Sequence, residues 1–290
     1  MAEDAPAPGG AGPAAEAVEH GAPPGSLRWF AMLFSGAERR TSLEALYGFE
    51  AELRRIVAST SHEAAHARLQ WWRGEIDRLV AGRATHPLAR ALAGAAAGTR
   101  ADLNLLHELV VAADLDLARL TYVNWQEFEA YCWRSAGALQ TVAAGVLAGD
   151  RDLAPEEREF ARRLGSSVRQ VEMLHDLDRD ARAGRVYAPL EALDAAGVEP
   201  AALAHWPGTA VVTAFRADWC ARVRSEFRAL PRVIADPAQR NAQRHGLVLA
   251  ALHERWLGHV ARAPAANVRH PELGPVTRLW TAWRTALRHA

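Results

Sequence analysis

Asp176 and Asp180 sit four residues apart in the run His175-Asp176-Leu177-Asp178-Arg179-Asp180. On a helix that spacing puts both carboxylates on one face, aimed at one site, and turns Asp178 elsewhere. Arg179, Arg182 and Arg185 lie close by, so the acids also have a plainer reading as surface ion pairs. A second chemistry-bearing pattern is His62-Glu63-Ala64-Ala65-His66. Two imidazoles one turn apart, with a Glu beside the first, is the donor arrangement of a helical zinc hydrolase. Its flank, Ser59-Thr60-Ser61, is polar, and the nearest acid downstream is Glu75, which nothing singles out as a third ligand. The plainer reading makes Ser61 an N-cap followed by solvated His and Glu. Two cysteines, Cys132 and Cys220, cannot build a disulfide framework, and Cys132 reads as a small buried hydrophobe. Ser166 and Ser167 have no catalytic-triad context.

The elements that carry these residues read as helices. From Ser26 onward apolar positions recur at three- and four-residue steps, as in Leu43, Leu46, Tyr47, Phe49, Leu53 and Ile56. Gly82 ends one helix and His86-Pro87 starts the next. The pattern predicts a helix over 101–119, a long helix from Trp125 to Leu147, and another from Pro155 to about Arg182 that stops at Gly184. Short helices and turns follow over 186–208, then helices at about 209–229, 238–261 and 273–288. No strand of convincing length and no repeat appear. The expectation is one all-α domain over 26–290.

The chain has 290 residues, 50% apolar and 23% charged, an ordinary globular balance. It contains no Lys; 34 Arg cancel 34 acids, and a net charge of zero argues against a nucleic-acid footprint. Residues 1–25, rich in Ala, Pro and Gly, read as a disordered tail without the basic and apolar regions of a secretory signal. No run approaches the roughly 18 apolar residues of a spanning helix. These features point to a cytoplasmic protein and leave peripheral contact with the inner membrane open. Ten Trp mark a large core or a roomy apolar cavity.

Three blocks resemble one family. Leu164 to Pro189, LGSSVRQVEMLHDLDRDARAGRVYAP, is similar to the second aspartate-rich motif of squalene/phytoene synthases, with Leu164, Gly165, Leu174, Asp176, Asp180, Gly184, Arg185, Tyr187 and Pro189 on matching positions. Asp116-Leu117, Tyr122, Phe128, Tyr131-Cys132 and Ala136-Gly137 resemble a second block, and Ala45-Leu46-Tyr47-Gly48-Phe49 a third. The resemblance implies an all-α isoprenoid-synthase fold around a central cavity. It implies head-to-head joining of prenyl diphosphates, with Mg²⁺ held by acids on two facing helices. It assigns diphosphate and metal contact to Asp176 and Asp180, and places Tyr47, Arg185 and Tyr187 at the substrate.

The chain departs from that pattern where the first metal motif belongs. Arg54, Arg55 and Ala58 stand where the family has carboxylates, and Arg169, Glu172 and His175 replace Gln, Asn and Arg of the second motif. Hard divalent cations need oxygen donors from both walls, so the chain reads as a divergent member without normal three-metal condensation, and Mg²⁺ as a doubtful cofactor. Arg54 or Arg55 is expected either to contact a diphosphate or to pair with Asp176 or Asp180 across the cleft. Glu52 to Ser61 (ELRRIVASTS), Arg68 to Arg73 and His86-Pro87 bear a looser resemblance to a mitochondrial complex I assembly factor of this family. Two roles follow as expectations: a cavity or surface that binds a prenyl diphosphate, a lipid or a protein partner, or an active prenyltransferase with an altered metal site. Zinc hydrolysis by His62, Glu63 and His66 is a remote third.

Overall fold

The computed structural model describes residues 21–289, and among them there are helices and turns but no strand. The expected tail falls largely outside the described residues. Its last part does not: Ala22 is buried, and a Cβ on Gly21 would meet the Tyr47 backbone at 2.1 Å.

Local sequence signals set the boundaries. Ser26 caps α1 (Leu27–Met32) by accepting from the Trp29 amide at 3.1 Å. α2 (Ala37–Val57) turns Leu43, Leu46, Tyr47, Phe49, Leu53 and Ile56 inward as their spacing predicts, together with Glu50, which the spacing does not explain. Ser61 caps α3 (His62–Val80), and Gly82 supplies the positive φ beyond its end. α4 (Pro87–Ala96) opens with the His86 side chain as cap and proline in its first turn. A 3₁₀ turn at Leu103–Leu105 leads into α5 (Leu106–Leu117).

The long helix expected from Trp125 is three pieces. α6 (Trp125–Cys132) passes through a π turn at Trp133–Gly137 into α7 (Ala138–Ala148). The π turn meets α8 (Pro155–Arg182), where a Cβ on Gly165 would lie 2.2 Å from the Ala136 carbonyl oxygen. α9 (Leu190–Ala196), a 3₁₀ turn (Pro200–Ala204) and α10 (Ala210–Val233) follow. The helix expected over 238–261 is divided into α11 (Pro237–Ala242) and α12 (Arg244–Arg262). Gln243 lies between them, its buried amide donating to the Ala144 carbonyl and to Glu157. α13 (Pro275–Arg288) ends the described chain.

The helices form two apolar cores. One gathers α8, α10 and α12 around Phe160, Trp219, Phe227 and Leu257. The other gathers α2, α3, α4 and α5 around Leu46, Phe49, Trp72 and Leu109. α2 and α8 face each other across the seam between them, joined by side chains: Arg54 of α2 reaches Glu172 of α8. Several tryptophans serve the cores, Trp72, Trp219 and Trp256 among them, while Trp280 and Trp283 are exposed. No helix among the described residues is long and apolar enough to cross a membrane.

Candidate functional site

The seam is filled by alternating charge. Glu50 is 3% exposed and pairs with both Arg28 of α1 and Arg54, the latter at 2.6 Å. Arg54 bridges to Glu172 at 2.6 Å, and Arg28 reaches the same carboxylate at 3.4 Å. Arg169 continues the chain, 3.3 Å from Glu172 and 3.8 Å from Asp116 of α5. Asp116 Oδ1 accepts from the hydroxyls of Tyr131 at 2.7 Å and Tyr187 at 2.8 Å, while Arg169 donates to the Tyr131 oxygen at 2.8 Å. Three guanidiniums (Arg28, Arg54, Arg169) thus face three carboxylates (Glu50, Glu172, Asp116), and the charge sums to zero. Burial alone would raise the carboxyl groups of Glu50 and Glu172; the facing arginines outweigh it and hold both below the ordinary range.

Little room remains inside this network. The void bounded by Glu50, Leu53, Arg54, Asp116 and Arg169 measures about 40 Å³, against about 300–1,000 Å³ for usual small-molecule pockets. Beyond Arg28 and Glu172 a separate hollow of about 260 Å³ opens toward His253 and Trp256.

The residues expected at the site separate into two groups. Tyr47, Arg54 and Tyr187 join the network or its edge: Arg28 stacks 4.7 Å over the Tyr47 ring, and Arg169 lies 5.3 Å from the Tyr187 ring centroid. Asp176 is elsewhere engaged. It pairs with Arg179 on its own helix, and its Oδ1 lies 2.8 Å from His175 Nδ1. The pairing expected between Arg54 or Arg55 and Asp176 or Asp180 is therefore corrected. Arg54 does cross to α8, but one turn earlier, at Glu172, because Arg179 and His175 already satisfy Asp176. Arg55 stays on the outer face with Glu52, at 2.5 Å. Asp178 does turn away from the Asp176 face, buried at 2% and held by Arg182 at 2.8 Å and Arg269 at 2.7 Å. Asp180 is half-buried, and burial pushes its carboxyl up to about 6 against the pull of Arg169. Arg185 is half-buried beside it, with its Nε unpaired.

These surroundings do not fit the Mg²⁺ ions that the fold implies. One wall offers Glu50 already bound to two arginines, and the other offers Asp176 bound to Arg179 and a lone Asp180 whose carboxyl burial raises. His175, Asp176 and His270 do bring donor atoms within 4.8 Å of one another, with His270 Nδ1 3.6 Å from Asp176 Oδ1. Three guanidiniums, Arg179, Arg182 and Arg269, nevertheless answer the two carboxylates Asp176 and Asp178, so the cluster holds no uncompensated negative charge to draw a cation.

The zinc-hydrolase reading lacks a third ligand: among the described residues, the donors that gather in threes are those of His175, Asp176 and His270. His62, Glu63 and His66 all lie on the solvent side of α3, behind the Ser61 cap. Glu75 serves structure instead: it accepts from the amides of Thr85 and His86, each at 2.6 Å. Burial would raise its carboxyl, but these hydrogen bonds hold it down at about 2.

Sequence reasoning missed Arg28 and Asp116 as members of the site. Asp116 stood in a family block, and its aspartate among apolar neighbours was the one available signal. Arg28 carried none.

Two buried histidines give the protein a pH signature. Gln140 donates to the Tyr47 oxygen at 3.2 Å, which directs the Tyr47 proton to His245 Nε2 at 2.7 Å. His253 lies 2.8 Å from the Leu249 carbonyl through Nδ1. Burial lowers both imidazoles to about 4. The unfolded chain takes up these protons at about 6.5, so each histidine withdraws stability as pH falls from about 6.5 to about 4, by up to about 3 kcal/mol. Glu50 and Glu172 add to the loss below about pH 4.5. Asp180 works the other way, because its carboxyl, raised to about 6, regains stability as pH falls through that value. The urea midpoint is expected to fall on balance between pH 6.5 and 5, and not to fall in a His245→Asn, His253→Asn double variant. A flat wild-type profile over that range would contradict this.

Comparison with known proteins matches the chain to one family. The squalene/phytoene synthase family model matches residues 26–284. A phytoene synthase of Zea mays is 27% identical over 66% of this chain and 46% of its own. One from Narcissus pseudonarcissus is 28% identical over 56% of this chain and 39% of its own. The chain thus spans less than half the length of these curated relatives. Among solved structures, a dehydrosqualene synthase covers 90% of this chain with 89% of its own, at a TM-score of 0.71 and 15% identity. A squalene synthase from Alicyclobacillus acidocaldarius covers 81% with 88% of its own, at a TM-score of 0.71 and 22% identity. Both structural likenesses speak to the fold.

Proposed function

The chain belongs to the squalene/phytoene synthase family, and from that premise we propose that it is a divergent, non-condensing member which acts by binding. The observation that carries this reading is the neutral network Arg28–Glu50–Arg54–Glu172–Arg169–Asp116 in the seam between the two cores. Ionising a prenyl diphosphate requires concentrated positive charge at the leaving group. Here Glu50 and Asp176, two of the acids that would gather that charge, are spent on arginines of the protein itself, which leaves Asp180 as the third, without an ion pair among the described residues. The void of about 40 Å³ is also too small for a prenyl chain, given the several hundred Å³ (about 300 or more) of usual ligand sites.

An anion that did enter would meet Arg54, whose side chain is 46% exposed, as the most accessible guanidinium. It would have to displace Glu172 to bind. Weak, Mg²⁺-independent binding of a prenyl diphosphate is the expected limit of what the seam offers. The fold then serves as a scaffold for a lipid or a protein partner, in line with the looser likeness to an assembly factor.

The test incubates purified protein with farnesyl or geranylgeranyl diphosphate, Mg²⁺ and a reductant, and analyses the extract for C30 and C40 hydrocarbons. No condensation product is expected, and calorimetry with the same diphosphate should give the same weak signal with and without Mg²⁺. Multiple turnovers lost in Asp176→Ala would overturn the proposal and restore the prenyltransferase reading.

A further inference from the structure

α13 is the helix whose amphipathic face has no partner. Val276, Trp280, Trp283 and Leu287 fall at i, i+4, i+7 and i+11, and with Leu279 they form one stripe. Their exposures are 80%, 54%, 42% and 58%, with Leu279 at 49%. The opposite side is small: Ala282 and Ala286 are fully buried and let the helix lie close on α12 and α1. Phe34, just past α1, adds to the stripe, and with Val276, Leu279, Trp280 and Trp283 it lines an open hollow of about 360 Å³. Trp280 and Trp283 lean on each other at 5.0 Å. A contiguous apolar surface of this kind on a soluble fold marks an interaction site.

Charge identifies the occupant. The chain as a whole is neutral, yet residues 273–290 contain Arg278, Arg284, Arg288 and His289 and no Asp or Glu. Arg278 is engaged by Glu272 and the Gly25 carbonyl. Arg284 and Arg288 flank the stripe, both exposed and without an ion pair among the described residues. Arg240 comes near the end of the helix, where it and Arg288, after burial, depress the His289 pKa. Exposed tryptophans and leucines with an arginine edge and no acids are the chemistry of a helix lying in the plane of an anionic lipid surface. A second copy of the chain would present the same acid-free segment and leave these arginines unanswered.

We propose that the exposed face of α13 docks the protein on an anionic membrane surface, with Trp280 and Trp283 inserted at the headgroup level and Arg284 and Arg288 on the lipid phosphates. The helix, about 21 Å long at 14 residues, would lie flat rather than penetrate.

The test is co-sedimentation of the full chain with phosphatidylcholine vesicles, with and without about one-third phosphatidylglycerol. Binding is expected on the anionic vesicles, accompanied by a blue shift of tryptophan emission, and about tenfold weaker on neutral vesicles or in about 0.5 M salt. Trp280→Ser with Trp283→Ser should weaken it at least about tenfold. Arg284→Gln with Arg288→Gln should remove the preference for anionic lipid while leaving the melting temperature unchanged. The proposal fails if folded wild-type protein stays in the supernatant, or if either double variant binds as wild type. It fails equally if sedimentation equilibrium shows a dimer that the tryptophan substitutions dissolve while vesicles are ignored.

Discussion

Glu50→Ala is expected to cost about 3–5 kcal/mol of folding stability, read as a fall in urea midpoint at neutral pH. The carboxylate is 3% exposed and answers two arginines at once. Without it, Arg28, whose side chain is only 14% exposed, keeps a single ion pair, to Glu172 at 3.4 Å, beside its stack on the Tyr47 ring. A buried guanidinium left short of counter-charge loses its hydration and gains too little in return. Replacing both partners, Arg28→Met with Glu50→Leu, removes the charges together and should recover most of the loss. Asp152→Ala provides the contrast. Its partner Arg100 is 61% exposed and Asp152 itself 79%, so the change should fall within about 0.5 kcal/mol. Equal effects for Glu50→Ala and Asp152→Ala would show that the network is not structurally coupled.

Gly165→Ala should be nearly as damaging, at about 3 kcal/mol or more, for a steric reason. The added methyl would lie 2.2 Å from the Ala136 carbonyl oxygen and 2.6 Å from the Gly137 Cα, all backbone of the π turn. Neither neighbour is a side chain that can rotate away, so α8 and the π turn must separate along their contact. Gly74→Ala is the matched control within α3. Its new Cβ meets only the flexible end of Arg78 at 3.6 Å, and the helical glycine gains from substitution by roughly 0.5–1 kcal/mol. Opposite signs for the two glycines, measured by thermal unfolding, are the expected outcome; loss of stability at both would refute the steric account.

Much of the helical framework was legible because its signals are local. Ser26 and Ser61 cap, Gly82 and Gly184 close, and His86-Pro87 opens the next helix, each within a few residues of its effect. The π turn escaped because an extra residue in a helical turn is decided by packing against α8 rather than by residue type. The site divides along the same line. That Arg54 or Arg55 would cross to α8 is one of two open expectations, and it rests on reversed charge at a position the family resemblance places opposite that helix. That Arg54 would choose Glu172 over Asp176 depended on one helical turn of register between two helices, which no spacing within either helix encodes. Asp116 meets Tyr131 and Tyr187 only after the chain has folded, 15 and 71 residues on. Arg28 reaches Glu50 from a short helix whose own pattern gives no hint of the pairing.

The shared carboxylates of the seam constrain how this sequence can change. Restoring an acid at position 54 would strip Glu172 of its 2.6 Å partner and set a new negative charge beside Glu50. Restoring a neutral amide at 172 would leave Arg54 and Arg169 facing each other across the gap. Each single step toward the family pattern passes through an intermediate with uncompensated charge, so the route back is uphill in both orders. Undoing such a lock takes several replacements at once. The seam therefore behaves as a ratchet against single substitutions.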